Sequence, residues 1–200
     1  MLPQKQWYDS STADPEQVKQ LCSEWKTNPL VAEILLRRGY KTHEEIKSFL
    51  MPSLSNLRDP YELRQMREAV ILLQETIAKN RRIVILGDYD VDGITATALM
   101  LEFLNKCGKL DLDFFIPNRI KHGYGLTEAS TDILLEMRPE LVITVDNGIT
   151  AAREVQRLNE EGIKTIVTDH HLADASLLPS GIVVNPNHPE CNYPFKKISG

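Results

Sequence analysis

Two textures of apolar and polar positions follow one another along the chain. Up to about residue 80 the pattern is polar and helical, and no run reads as a strand of any length. Thr42 with Glu45 three positions on forms a capping box, which predicts a short helix over Thr42–Leu50. Asp59-Pro60-Tyr61-Glu62 is a second start signal, with a capping carboxylate, proline at the first helical position and an early acid. Behind it Leu63, Met66, Val70, Leu73 and Ile77 recur at helical spacing, so a helix should follow that packs one apolar stripe on a neighbour and leads into the core.

From Arg81 the texture changes to short apolar runs alternating with helical stretches. Strands are expected at 83–86, 112–116, 141–145, 165–167 and 182–184, and helices at 94–107, 127–137 and 150–161. That alternation is the mark of βαβ units. The expected fold class is α/β: a parallel sheet flanked by helices over residues 81–200, preceded by a helical amino-terminal extension over residues 1–80. No internal repeat or low-complexity segment interrupts the pattern. The final residues, Lys197-Ile198-Ser199-Gly200, follow a loop with no closing element, so the domain is expected to be truncated there and the natural chain to continue.

Composition narrows the class. Two hundred residues at 42% hydrophobic and 26% charged suffice for one ordinary domain with a small extension and argue against disorder. No apolar run approaches the ~18 residues that span a bilayer, and the opening MLPQKQWYDSS has neither a basic nor an apolar leader region. A cytoplasmic protein without membrane contact is therefore expected. Cys22, Cys107 and Cys191 are odd in number and form no CxxC pair, which argues against a disulfide framework or a zinc ribbon. The net charge of −5 speaks against nucleic-acid binding by bulk electrostatics over the whole surface, but not against a local basic groove.

Acids collect at the carboxyl end of each expected strand. Ile83–Leu86 is followed by Gly87-Asp88-Tyr89-Asp90-Val91-Asp92-Gly93, Leu141–Val145 by Asp146-Asn147-Gly148, and Thr165–Thr168 by Asp169-His170-His171. In an open parallel sheet those ends line one crevice, where such folds bind ligands. Packed carboxylates raise one another's pKa unless a cation sits among them. Oxygen ligands with one or two imidazoles suit Mn2+ or Mg2+ better than Zn2+, and the number of candidate ligands exceeds the need of one ion. Two ions ~3.5 to 4 Å apart, activating water against a phosphodiester, are the natural expectation. Taken singly, the motifs have plainer explanations. An EF-hand would need glutamate at the twelfth position from Asp88, where Leu99 stands. Asp146-Asn147-Gly148 alone reads as a turn and Asp169 alone as a helix cap. Their joint placement at three strand ends favours a metal site.

GDYDVDGITAT at 87–97, TVDNGI at 144–149 and TDHH at 168–171 together resemble the first three motifs of the DHH phosphoesterase superfamily. Outside the acids, RRGY, the DP at 59–60, IPNRIKHGYGL at 116–126 and NPNHPECNYPF at 185–195 resemble its single-strand-specific 5′-to-3′ exodeoxyribonuclease branch, over nearly the whole chain. The resemblance implies metal ligation by Asp90, Asp92, Asp146 and His170, with Asp146 bridging. It places Asp88 at or beside the ions, His171 on the scissile phosphate, and Asp169 and Asn147 behind them as supports. It also implies two Mn2+ or Mg2+ ions, single-stranded DNA as substrate, a part in repair and recombination, and a single-strand binding protein or helicase as partner. The first motif departs from the family where Leu86 and Gly87 stand in place of a frequent histidine. A fourth metal motif, a DHH-associated domain and an OB-fold domain are not found before Gly200, so these residues alone are expected to be weakly active or inactive.

Rival readings are a DHH phosphodiesterase of very short oligonucleotides or cyclic dinucleotides, a family pyrophosphatase and a non-enzymatic replication scaffold. The helical lead-in counts against the first two and the intact acids against the third. The segment 118–125, with Arg119, Lys121, His122 and Tyr124, fits either a loop that stacks a base and holds a phosphate or an ordinary polar loop. His188 near Cys191 reads as a structured loop, His43 as a solvated helix residue, and Trp7, Trp25 and Phe195 as packing residues.

Overall fold

The structure, a computed structural model, describes residues 13–196 and 198. Trp7 lies outside the described residues. The chain divides into two compact units, Met1–Arg58 and Asp59–Gly200.

The first unit holds three short helices, α1 (Pro15–Trp25), α2 (Pro29–Arg37) and α3 (His43–Leu50). Each opens on a side-chain cap, Asp14, Asn28 or Thr42, and the first two carry proline just inside. Both halves of the Thr42–Glu45 capping box are made. Leu21, Ala32, Leu35 and Ile46 form the small core, with Trp25 packed against it. His43 is exposed, as expected, with Nδ1 2.5 Å from Glu24 and its ring 4.6 Å from that of Trp25.

In the second unit the start signal at Asp59 behaves differently from the expectation. It caps only a three-residue 3-10 turn, Pro60–Glu62, and the longer helix, α4 (Met66–Ala78), begins after three intervening residues. The break is set by Gln65, whose backbone is left-handed at φ 59°. Its side-chain amide donates to Gly181 O at 3.3 Å and accepts from Val183 N at 3.0 Å, filling the outer edge of a distant strand. A contact across more than a hundred residues is invisible to a local pattern.

The remaining elements are β1 (Ile83–Leu86), α5 (Val91–Lys106), β2 (Leu112–Phe115), α6 (Glu128–Met137), β3 (Leu141–Val145), α7 (Ala152–Glu160), β4 (Lys164–Thr168) and β5 (Ile182–Val184). The five strands form one parallel sheet in the order β2-β1-β3-β4-β5. Alternate residues of each strand serve opposite faces. Val84, Leu86, Val142, Val167 and Val183 meet Leu134, Val155 and Leu158 of α6 and α7 on one side. Ile83, Ile85, Ile143, Val145 and Ile166 meet Ala69 and Leu104 of α4 and α5 on the other. Both faces are covered, which explains why the strands read as continuous apolar runs. No helix among the described residues is long and apolar enough to cross a membrane.

The strand order carries the functional consequence. β2 and β3 lie on opposite sides of β1, so the crossovers leave in opposite directions and open a crevice beyond the carboxyl ends of β1 and β3. Leu104, fully buried, holds α5 on the sheet below that crevice. Leu104→Ala should cost about 2–5 kcal/mol in urea unfolding; a loss under about 1 kcal/mol would mean that the helix is anchored elsewhere.

Candidate metal centre

The first wall of the crevice is the turn after β1. Asp88 is fully buried, and its Oδ1 accepts from Tyr89 N at 2.6 Å. Its Oδ2 is buried with no hydrogen-bond partner. The first turn of α5 sits directly on this residue, and a Cβ at Gly93 would lie 2.6 Å from the Asp88 backbone nitrogen. Only glycine permits that approach. Asp90 caps α5 through Oδ1, 3.0 Å from Gly93 N, which is why the helix begins earlier than the expected residue 94.

The second wall is the turn after β3. Asp146 is buried in the left-handed region at φ 64°, its N–H donating to Thr168 O of β4 at 3.0 Å. Asp and Asn tolerate that region better than most residues. Asn147 Nδ2 donates to Leu86 O and Val145 O, tying the ends of β1 and β3 together. Tyr124, from the loop before α6, donates its hydroxyl to Asp146 O at 3.2 Å.

The third wall follows β4. Asp169 accepts from Ile149 N through Oδ2 at 2.9 Å, and through Oδ1 from His170 N at 2.7 Å and His171 N at 3.0 Å. The same Oδ1 stands 2.7 Å from His171 Nδ1. That pairing fixes the proton on Nδ1 and turns Nε2 toward the crevice, where it lies 3.4 Å from the Tyr124 hydroxyl.

Two groups of potential ligand atoms result, each within 4.8 Å of one another: Asp88, Asp90 and Asp146, and Asp146, His170 and His171. Asp146 belongs to both. Asp92, in the first turn of α5, is exposed and belongs to neither, although its charge still bears on Asp146. Burial, with Asp90 nearby, holds the Asp88 carboxyl above its ordinary value. Burial likewise raises Asp146 against the opposing pull of His170. Burial and the surrounding carboxylates push the Tyr124 phenol upward, so it stays a donor.

These residues fit a divalent cation. His170 Nε2 lies 3.0 Å from Asp146 Oδ1 but off the line of a hydrogen bond, and that oxygen, like Asp88 Oδ2, is buried without a partner. Buried carboxylate oxygens left without a hydrogen bond, one of them at contact distance from an imidazole nitrogen, are groups that a divalent cation among them would satisfy. Carboxylates and imidazoles without a thiolate suit Mn2+ or Mg2+.

The loop candidates separate. Tyr124 points into the acids, its ring edge-on to His171 and Tyr89 at 6.0 and 5.9 Å. Arg119 lies over the outer part of this pair, 5.6 Å from the Tyr89 ring. His122 Nδ1 accepts from Asn118 N, and the Lys121 N–H is held by the Asn118 side chain. His188 is buried and accepts from Glu190 N, a structured loop as expected. Phe195 is 43% exposed, so the packing expected of it is partial at best, because the loop turns its ring outward. Gly93, Asn185 and Asn187 support the site without having been expected to; the Asn-Pro-Asn run after a strand was the available signal for the last two.

Residues 82–200 match the DHH family, N-terminal domain, and the chain belongs to that family. Within it the chain is similar to the single-stranded-DNA-specific exonuclease RecJ of Bacillus subtilis, 38% identical over 200 residues, which is all of this chain and 25% of that protein. The Thermus thermophilus protein of the same name is 34% identical over 192 residues, 93% of this chain and 26% of its own. The solved structure of RecJ with Mn2+ from Thermus thermophilus superposes with a TM-score of 0.63 at 32% identity, covering 92% of this chain and 25% of that one. A second RecJ structure bound to manganese gives 0.61 at 39%, covering 67% and 34%. The chain thus spans about a quarter of the length of these curated relatives.

The raised values of Asp88 and Asp146 make a pH prediction. Both folded carboxyls bind protons more readily than in the unfolded chain. Their contribution to stability is complete below the ordinary value of 3.8 and is lost as pH rises through the raised folded values. Acidifying the metal-free protein from neutrality should therefore add stability from these two groups, and Asp146→Asn should flatten that part of the profile. Identical thermal-unfolding profiles for wild type and variant would take Asp146 out of the strained cluster.

Proposed function

We propose that the chain is the metal-binding core of a nuclease that removes nucleotides from the 5′ end of single-stranded DNA by two-metal phosphodiester hydrolysis. The observation that carries this reading is the pair of ligand groups sharing Asp146. Asp88, Asp90 and Asp146 would hold one ion and Asp146 with His170 the other, with Asp92 a further candidate ligand from the start of α5. Bound there, two Mn2+ or Mg2+ ions supply a nucleophilic water at neutral pH and neutralise charge developing on the phosphate.

The protein's own part is orientation and charge. His171, held through Nδ1 by Asp169, turns Nε2 toward the place of the scissile phosphate. Asp169 and Asn147 stand behind the ligands and fix the turns that carry them. Tyr124, kept protonated, holds the Asp146 carbonyl, and Arg119 over the Tyr89 ring, with Lys121 and His122 of the same loop, would serve as nucleic-acid contacts. The relatives' names support single-stranded DNA over short oligonucleotides as substrate. Repair and recombination, in a cytoplasmic setting with a single-strand binding protein or a helicase delivering the strand, follow from that activity. In this reading residues 81–200 carry the chemistry and residues 1–80 form a helical lead-in.

The test is digestion of a 5′-phosphorylated single strand by the full-length protein with Mn2+. Asp146→Asn should lower the rate by roughly 10³-fold or more, the equivalent of about 4 kcal/mol of lost charge stabilisation, while the fold persists. The 200 residues alone should be weakly active or inactive. Retained cleavage in the folded variant, or digestion from the 3′ end, would overturn the proposal.

A further inference from the structure

We infer that Asn185 and Asn187, in the turn that follows β5, are positioning residues that clamp the backbone of His170 and His171 and thereby aim both imidazoles at the metal centre. The inference deepens the metal reading and rests on it.

The contacts are specific to those two histidines. Asn185, fully buried, donates from Nδ2 to His171 O at 3.1 Å. Asn187 donates from Nδ2 to His170 O at 2.5 Å. Asn185 Oδ1 accepts from Asn187 N at 2.6 Å, so the two side chains act as one unit. From the opposite side Asp169 Oδ1 takes the N–H groups of His170 and His171.

The peptide joining His170 to His171 is therefore gripped at both ends, its carbonyl by Asn187 and its N–H by Asp169. The next carbonyl is held by Asn185. With these peptide planes fixed, little backbone freedom is left at His171, and the Cα–Cβ direction of each imidazole is set before any ion arrives. The histidines follow β4 without a helix of their own, so no ladder of backbone hydrogen bonds supplies this rigidity. The clamp is itself anchored. Lys196 Nζ donates to Pro186 O and Cys191 O across the loop, and β5 leads into the turn with its outer edge filled by Gln65.

Supports of this kind are worth about 10- to 100-fold in metal affinity. The experiment is a calorimetric Mn2+ titration of the full-length protein, with metal-free thermal unfolding measured in parallel. Asn187→Ala, at a half-buried position, should weaken Mn2+ about tenfold or more while the metal-free protein stays folded. Asn185→Asp keeps the shape and removes the donor. Its added negative charge would by itself tighten a cation, so weaker binding reports lost positioning.

Unchanged Mn2+ affinity in folded Asn187→Ala, including a lowered unfolding temperature with unchanged affinity, would overturn the clamp and leave the metal centre standing. A full-length wild type that takes up no Mn2+ would overturn the metal reading and the clamp with it. If Asn185→Asp fails to fold, Asn187→Ala alone decides.

Discussion

Carboxylates that must crowd together out of water form the constraint to which the rest of this molecule answers. Asp88 and Asp146 are buried, and burial together with the charge of Asp90 beside them disfavours ionisation of both. A chain that held them only loosely would let them turn to solvent and relax. The parallel sheet prevents that, because each acid sits immediately beyond a strand whose residues are packed on both faces.

The rigidity is distributed among groups that are not ligands. Asn147 links the ends of β1 and β3, Asp169 gathers the amides of β4's extension, and Gly93 lets a helix seat itself on Asp88. None of these carries charge to an ion. Together they convert an electrostatic conflict into a fixed demand for positive charge at one place, which a divalent cation could meet.

Much of this was legible along the chain. The acids after three apolar runs announced the crevice, since a parallel sheet puts those ends side by side, and Thr42 with Glu45 announced a helix start from four residues. What stayed hidden depends on contacts between distant segments. The delayed start of α4 follows from Gln65 reaching the edge of β5, and nothing near Gln65 signals it. Asp92 carries the same motif-level signal as Asp88 and Asp90, yet it stands exposed in the first turn of α5 and belongs to neither of the two groups of clustered ligand atoms. Tyr124 reads in sequence as an aromatic in a basic loop, whereas its hydroxyl lands on the Asp146 carbonyl. Spacing reveals which residues share a strand end. It does not reveal which way a side chain leans once there.

The left-handed backbone at Asp146 has an evolutionary side. Asparagine and glycine are at home in that conformation, so either can take the position without disturbing the turn. If the proposed nuclease reading holds, a single such replacement would silence the chemistry and relieve crowding among the acids, leaving the architecture free to be kept for its surface alone. On that reading, loss of catalysis at this point leaves the fold intact, and a lineage can pass from enzyme to platform without an unfolded ancestor.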